Sequence, residues 1–209
     1  ILFCSASNSC QLIVILGSNI WKTDRVAKQM RVNSILIYGS NHISALEHIY
    51  MKHLVGFGYD TILFPAQSKF LAYYNQALLN KLIFRIGLSS IYSLIDTEFR
   101  RKVVELRPDI IWVFKGMELL PKTIIWLKDR GIKVANYNPD SPYIFSGRGS
   151  GNKNVVKGLP LFDLYMTYDS TILDKLRKDR LKAELIPFGF DIADEVFEKA
   201  IKTPEIIKT

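Results

Sequence analysis

Lys133-Val134-Ala135-Asn136-Tyr137-Asn138-Pro139-Asp140-Ser141-Pro142 joins a run of strand length to a rigid polar turn carrying one carboxylate. The two prolines fix φ and push the residues before them towards extended geometry, so Asp140 is held in place by the backbone. Open α/β sheets put ligand contacts in such turns, at the carboxyl ends of their strands. The alternative is a turn whose Asp does no more than cap the following segment. After it comes a Gly- and Ser-rich stretch, 143–154, which reads as a loop.

Outward from this point, strand and helix patterns alternate. Ser34–Tyr38, Asp60–Phe64, Asp109–Phe114, Leu164–Thr167 and Lys182–Ile186 read as further strands. Between them, 43–57 carries apolar residues at helical spacing and ends at Gly58. The long stretch 68–106 is mostly helical, with breaks near Gly87 and Ser89-Ser90. Pro121 suits a first helical turn, with the helix running through 123–130 to Gly131, and 170–180 makes another helix. This alternation predicts an α/β, Rossmann-like, doubly wound parallel sheet covered on both faces. Residues 30–191 hold the pattern; 1–29 read as a poorly patterned leader, and 192–209 as the start of a linker into a region beyond.

With 209 residues, 48% of them hydrophobic and 23% charged, the chain has a globular composition. No apolar run approaches the ~20 residues that cross a bilayer. The net charge of +8 is spread over helix-like stretches where acidic residues are interleaved, so nucleic acid is not indicated. Contact with an acidic lipid surface stays open. Both cysteines, Cys4 and Cys10, precede the patterned region, which fits a reducing, cytoplasmic setting and leaves no thiolate metal site there.

Several residues fall where ligands bind. The turn Gly39-Ser40-Asn41 could offer backbone N–H groups to an anion at a helix start, or Ser40 or Asn41 could simply cap that helix. It is not a G-x-G-x-x-G loop, which argues against a dinucleotide-dependent oxidoreductase. His42 at the same mouth is a candidate general base. His48 and His53 read as packing or surface residues, and no spacing among the three suits a metal. Lys115, Gly116 and Glu118 end the third strand and should face the same edge as Asn138, Asp140 and Ser141. Lys115, and Arg148 from the Gly/Ser loop, could meet an anionic ligand; Asp169 reads as a helix N-cap.

The order of these pieces resembles the N-terminal half of CgeB-like (spore-maturation type) glycosyltransferases. The pieces are the Gly turn after strand one, Pro108 to Gly116, Asn138 to Pro142, and Phe162 to Asp169. Leu185-Ile186-Pro187-Phe188-Gly189-Phe190-Asp191 is similar to the segment that leads from the first to the second Rossmann domain in GT-B enzymes. The resemblance spans roughly 33–191. It implies transfer of a sugar from a nucleotide-sugar to an acceptor with no required metal or cofactor. The donor would be held mainly by a C-terminal domain that this chain does not contain, and the acceptor by this one. It also implies His42 as base, by position, and little activity for the chain alone. The missing Gly-Gly pair in the first loop and the bulky Phe188 depart from the family pattern. The competing reading is a non-catalytic Rossmann-like module that binds a small ligand or a partner.

Overall fold

The computed structural model describes residues 32–144 and 152–186, with the backbone alone for Asn152. The stretches 1–29 and 192–209, Arg148, and the segment 187–191 lie outside the described residues. Six strands form one sheet: β1 Ser34–Tyr38, β2 Asp60–Phe64, β3 Ile110–Phe114, β4 Lys133–Tyr137, β5 Leu164–Thr167 and β6 Ala183–Leu185. Every pairing is parallel, in the order β2-β1-β3-β4-β5-β6. The helices are α1 Leu46–Gly56, α2 Ala66–Gln76, α3 Leu78–Arg85, α4 Ile91–Leu106, α5 Pro121–Lys128, α6 Asn152–Gly158 and α7 Ser170–Lys178. This is the expected Rossmann-like α/β sheet.

The apolar runs explain the sheet. All five residues of β3 are buried, because a central parallel strand is covered on both faces and needs no polar alternation. On one face Leu36, Tyr38, Ile111 and Val113 join Ile95, Phe99 and Val103 of α4 and Ile124 and Leu127 of α5 in a single core. On the other, Tyr50 of α1 meets the rings of Trp112, Phe114 and Tyr137 at 5.0, 5.5 and 5.9 Å. Asp109 locks the sheet's amino edge, its Oδ2 accepting from the backbone N–H groups of Asn33 and Ser34 and from Ser34 Oγ. Asp169 caps α7, accepting from Thr171 N at 2.7 Å and Ile172 N at 3.2 Å.

Three local expectations give way. The helix after β1 starts at Leu46 rather than 43, since His42–Ala45 closes into a turn through Ala45 N to His42 O at 2.9 Å. The long helical stretch is broken once more, at Ala77, which adopts φ −151° and ψ 151°. No Gly or Pro marks that break. It lets α3 fold back so that Phe84 packs among Phe70, Tyr74 and Tyr92 at 4.9–5.7 Å, while Asn80 Nδ2 donates to Tyr73 O near the end of α2. The third is α6, whose Asn152–Gly158 span takes over the end of a segment read as loop.

Candidate functional site

In the order β2-β1-β3-β4-β5-β6 the chain leaves β1 towards β2 on one side and arrives at β3 on the other. The topological switch point therefore lies between β1 and β3, and ligands of doubly wound sheets bind outside the carboxyl ends there. Tyr38 lies opposite Val113, and Phe114 opposite Tyr137, so the turns after β1, β3 and β4 share one rim. Those turns carry Gly39 to His42, Lys115 to Glu118 and Asn138 to Ser141.

The first turn is satisfied from within. Gly39 N donates to Phe64 O, and Gly39 O accepts from Gln67 N. Ser40 N donates to Glu47 Oε1 at 2.6 Å, Asn41 N to Ser68 Oγ at 2.8 Å, and His42 N to Ser40 Oγ at 3.1 Å. The backbone donors expected to cradle a ligand anion thus already have acceptors, one of them the buried carboxylate of Glu47. Gly39 is needed for this, because a Cβ there would collide with the Glu47 carboxylate. Neither Ser40 nor Asn41 caps α1, whose N-cap is Ala45 with no side-chain bond. His42 is exposed, with Nδ1 2.8 Å from Ser44 Oγ.

The second turn is backbone-strained. Lys115 and Gly116 both have positive φ, 58° and 85°, a pair of left-handed residues that only glycine adopts freely. Asn136 Nδ2 supports it by donating to Lys115 O at 3.2 Å. A Cβ on Gly116 would lie 2.8 Å from Val113 Cγ1 and 3.2 Å from that Asn136 nitrogen. Gly116→Ala is therefore expected to cost about 2 kcal/mol of stability, measured by urea denaturation. An unchanged midpoint would contradict the strained turn.

Beyond it, Glu118 is buried, and its Oε1 has no hydrogen-bond partner. Burial pushes its pKa up from 4.5 to about 7; a bond from its own backbone N–H and the nearby Lys115 pull the other way, and Glu47 adds to the rise. Glu47 and Glu118 thus put two buried carboxylates, within electrostatic reach of each other, behind the two turns that flank the switch point. At neutral pH Glu118 sits at its own midpoint, so it can hold or release a proton there.

The third turn carries the opening motif. Asn138 is buried; its Oδ1 accepts from Asp140 N at 3.0 Å and its N donates to Met166 O, which pins the turn to β5. Ser141 Oγ accepts from Tyr143 N at 3.4 Å. Asp140 is exposed, and its Oδ2 lies 2.8 Å from Lys115 Nζ. The structure therefore brings Lys115 and Asp140 together as an ion pair across the ends of β3 and β4. Among the described residues no cluster of three or more His, Cys, Asp or Glu could hold a metal ion.

Reading the sequence missed Glu47. It lies three residues before Tyr50 and seven before Leu54, on the stripe of α1 that faces the sheet. A carboxylate on an otherwise apolar stripe was the available signal.

No protein-family model matches the chain, and no curated relative does. Solved structures do. Methanocaldococcus jannaschii UDP-GlcNAc 2-epimerase, in complex with UDP-GlcNAc and UDP, aligns with a TM-score of 0.52 at 11% identity, over 74% of this chain and 46% of that one. Glycyrrhiza uralensis UGT73P12, complexed with glycyrrhetinic acid 3-O-monoglucuronide, aligns with a TM-score of 0.48 at 12% identity, over 75% of this chain and 49% of that one. The first likeness shows the fold alone, a Rossmann-like α/β domain of the GT-B kind. The chain spans less than half the length of either matched structure.

Proposed function

We propose that this chain is the acceptor-side domain of a CgeB-like GT-B glycosyltransferase, which moves a sugar from a nucleotide-sugar to an acceptor. The observation that carries the reading is the rim itself. On a GT-B-like domain, the turns after β1, β3 and β4 bring His42, the Lys115–Asp140 pair and the buried Glu118 to the switch point. An inverting transfer needs an acceptor hydroxyl held in line with the bond to the departing nucleoside diphosphate and a group that takes its proton. Asp140 and Lys115 supply an acceptor and a donor for hydroxyl recognition. His42, exposed at the same mouth with Nδ1 accepting from Ser44 N at 3.4 Å, would be the group that takes the hydroxyl proton. Gly39, Ser40, Asn41, Gly116, Asn138 and Ser141 shape the turns that hold these groups, and Arg148 would add a cation from the neighbouring loop. The donor would be held by a second Rossmann domain following this one, outside residues 1–209.

Titration calorimetry on the 209-residue chain tests this division of labour. Nucleotide-sugars are expected to bind weakly, with Kd on the order of 1 mM or more, because the donor contacts lie elsewhere. Micromolar binding to this chain alone would instead favour a self-sufficient ligand-binding module.

A further inference from the structure

Helix α3 spends its apolar side chains on solvent. None of its residues is buried, and Leu78, Leu79 and Leu82, with Ile86 and Leu88 just beyond its end, are 48–83% exposed. At roughly 100° per residue, Leu78, Leu79, Leu82 and Ile86 fall within one arc of about 100°. The helix is anchored by the opposite side, where Phe84 packs against Phe70, Tyr74 and Tyr92. A contiguous aliphatic face of this kind marks an interaction surface.

Charge selects the partner. Lys81 and Arg85 border the apolar arc along one flank, Lys81 reaching over the Tyr74 ring at 5.4 Å. Between Asp60 and Asp96 the chain has three basic residues, Lys69, Lys81 and Arg85, and no acidic one. Lys69 is matched by Glu98 at 2.8 Å, while on the helix itself Arg85 is exposed beside the leucines and Lys81 is half-buried along the Tyr74 ring. The exposed face is aliphatic, with its aromatic ring turned inward, which gives nucleic-acid bases nothing to stack on. Among the described residues no helix is long and apolar enough to cross a membrane. An aliphatic face flanked by cations suits insertion at the boundary between headgroups and acyl chains of an anionic bilayer.

We propose that α3 and the following turn to Leu88 dock this domain onto an anionic lipid surface, with the leucines inserted and Lys81 and Arg85 on the headgroups. Vesicle flotation of the 209-residue chain tests it without reference to sugar transfer. The chain is expected to float with vesicles of equal parts phosphatidylcholine and phosphatidylglycerol, far less with phosphatidylcholine alone, and less in high salt. Lys81→Gln with Arg85→Gln should weaken the partition roughly 30-fold. Leu79→Glu with Leu82→Glu should weaken it roughly 100-fold or more. Both changes fall on a helix with no buried residue, so the thermal melt by circular dichroism should stay as in the parent. Three results would overturn the proposal: no binding to the anionic vesicles, equal binding to both kinds, or a dimer in analytical ultracentrifugation that Leu82→Glu dissociates and that ignores lipid.

Discussion

Glu118→Gln is expected to stabilise the domain by about 3 kcal/mol near pH 8 and to leave it almost unchanged below pH 4. Burial lifts the carboxyl from its ordinary 4.5 to about 7 in the folded protein. Between those values the folded state holds a proton that the unfolded state has released, so wild-type stability falls as pH rises through this window. Above about 7 both states are ionised, and the folded one carries a desolvated carboxylate with an unpartnered Oε1. Glutamine keeps the shape and an oxygen for the residue's own backbone N–H, and it has no proton to lose. Comparing the two proteins cancels every other titrating group. Urea denaturation at the two pH values reads the effect directly, with the same m value expected for both. A stability difference that does not depend on pH would show that Glu118 is not the titrating group.

The second large effect lies in the core. Phe99 is fully buried and sits between Tyr38 at 4.8 Å, edge to face, and Phe64 at 5.1 Å. It ties α4 to the carboxyl ends of β1 and β2, beneath the rim of the candidate site. Phe99→Ala removes that ring and leaves a hole that fixed strands cannot close, at a cost of about 3–5 kcal/mol. Domains of this size are stable by only about 5–15 kcal/mol, so the variant should be close to unfolding at body temperature. Phe99→Leu, which refills most of the volume, should lose much less. Thermal and urea midpoints for both variants check it; a loss below about 1 kcal/mol for the alanine would mean that the site collapses freely.

The strands were readable because parallel strands buried on both faces are written as short unbroken apolar runs, as in Ile110 to Phe114. Their alternation with helical patterns was enough for the Rossmann-like class. Local boundaries were less readable where packing overrides local signals. Ala77 breaks a helical pattern without Gly or Pro, because the aromatic cluster around Phe84 needs α3 turned back. The turn 42–45 delays α1 for a different reason, the closure of Ala45 N onto His42 O.

The site divides the same way. Lys115 and Asp140 could each be placed at a strand end from sequence, but their pairing depends on β3 and β4 being neighbours, which the order of motifs along the chain does not state. Glu47 was hidden because its role exists only once Gly39 passes over it. The expectation that the first turn offers free N–H groups to an anion met a structure in which a protein carboxylate already occupies that place.

Sugar transfer at the rim of the switch point is the activity proposed for this domain. The most direct measurement is release of nucleoside diphosphate from nucleotide-sugars, with an acceptor mixture, by the protein extended through the sequence downstream of Thr209. Acceptor-dependent turnover is expected, reduced ~10- to 100-fold in kcat/KM by Asp140→Ala and by His42→Ala, with both variants folded as the parent. Full activity in both variants, or a downstream sequence with no second Rossmann pattern and no turnover, would contradict it.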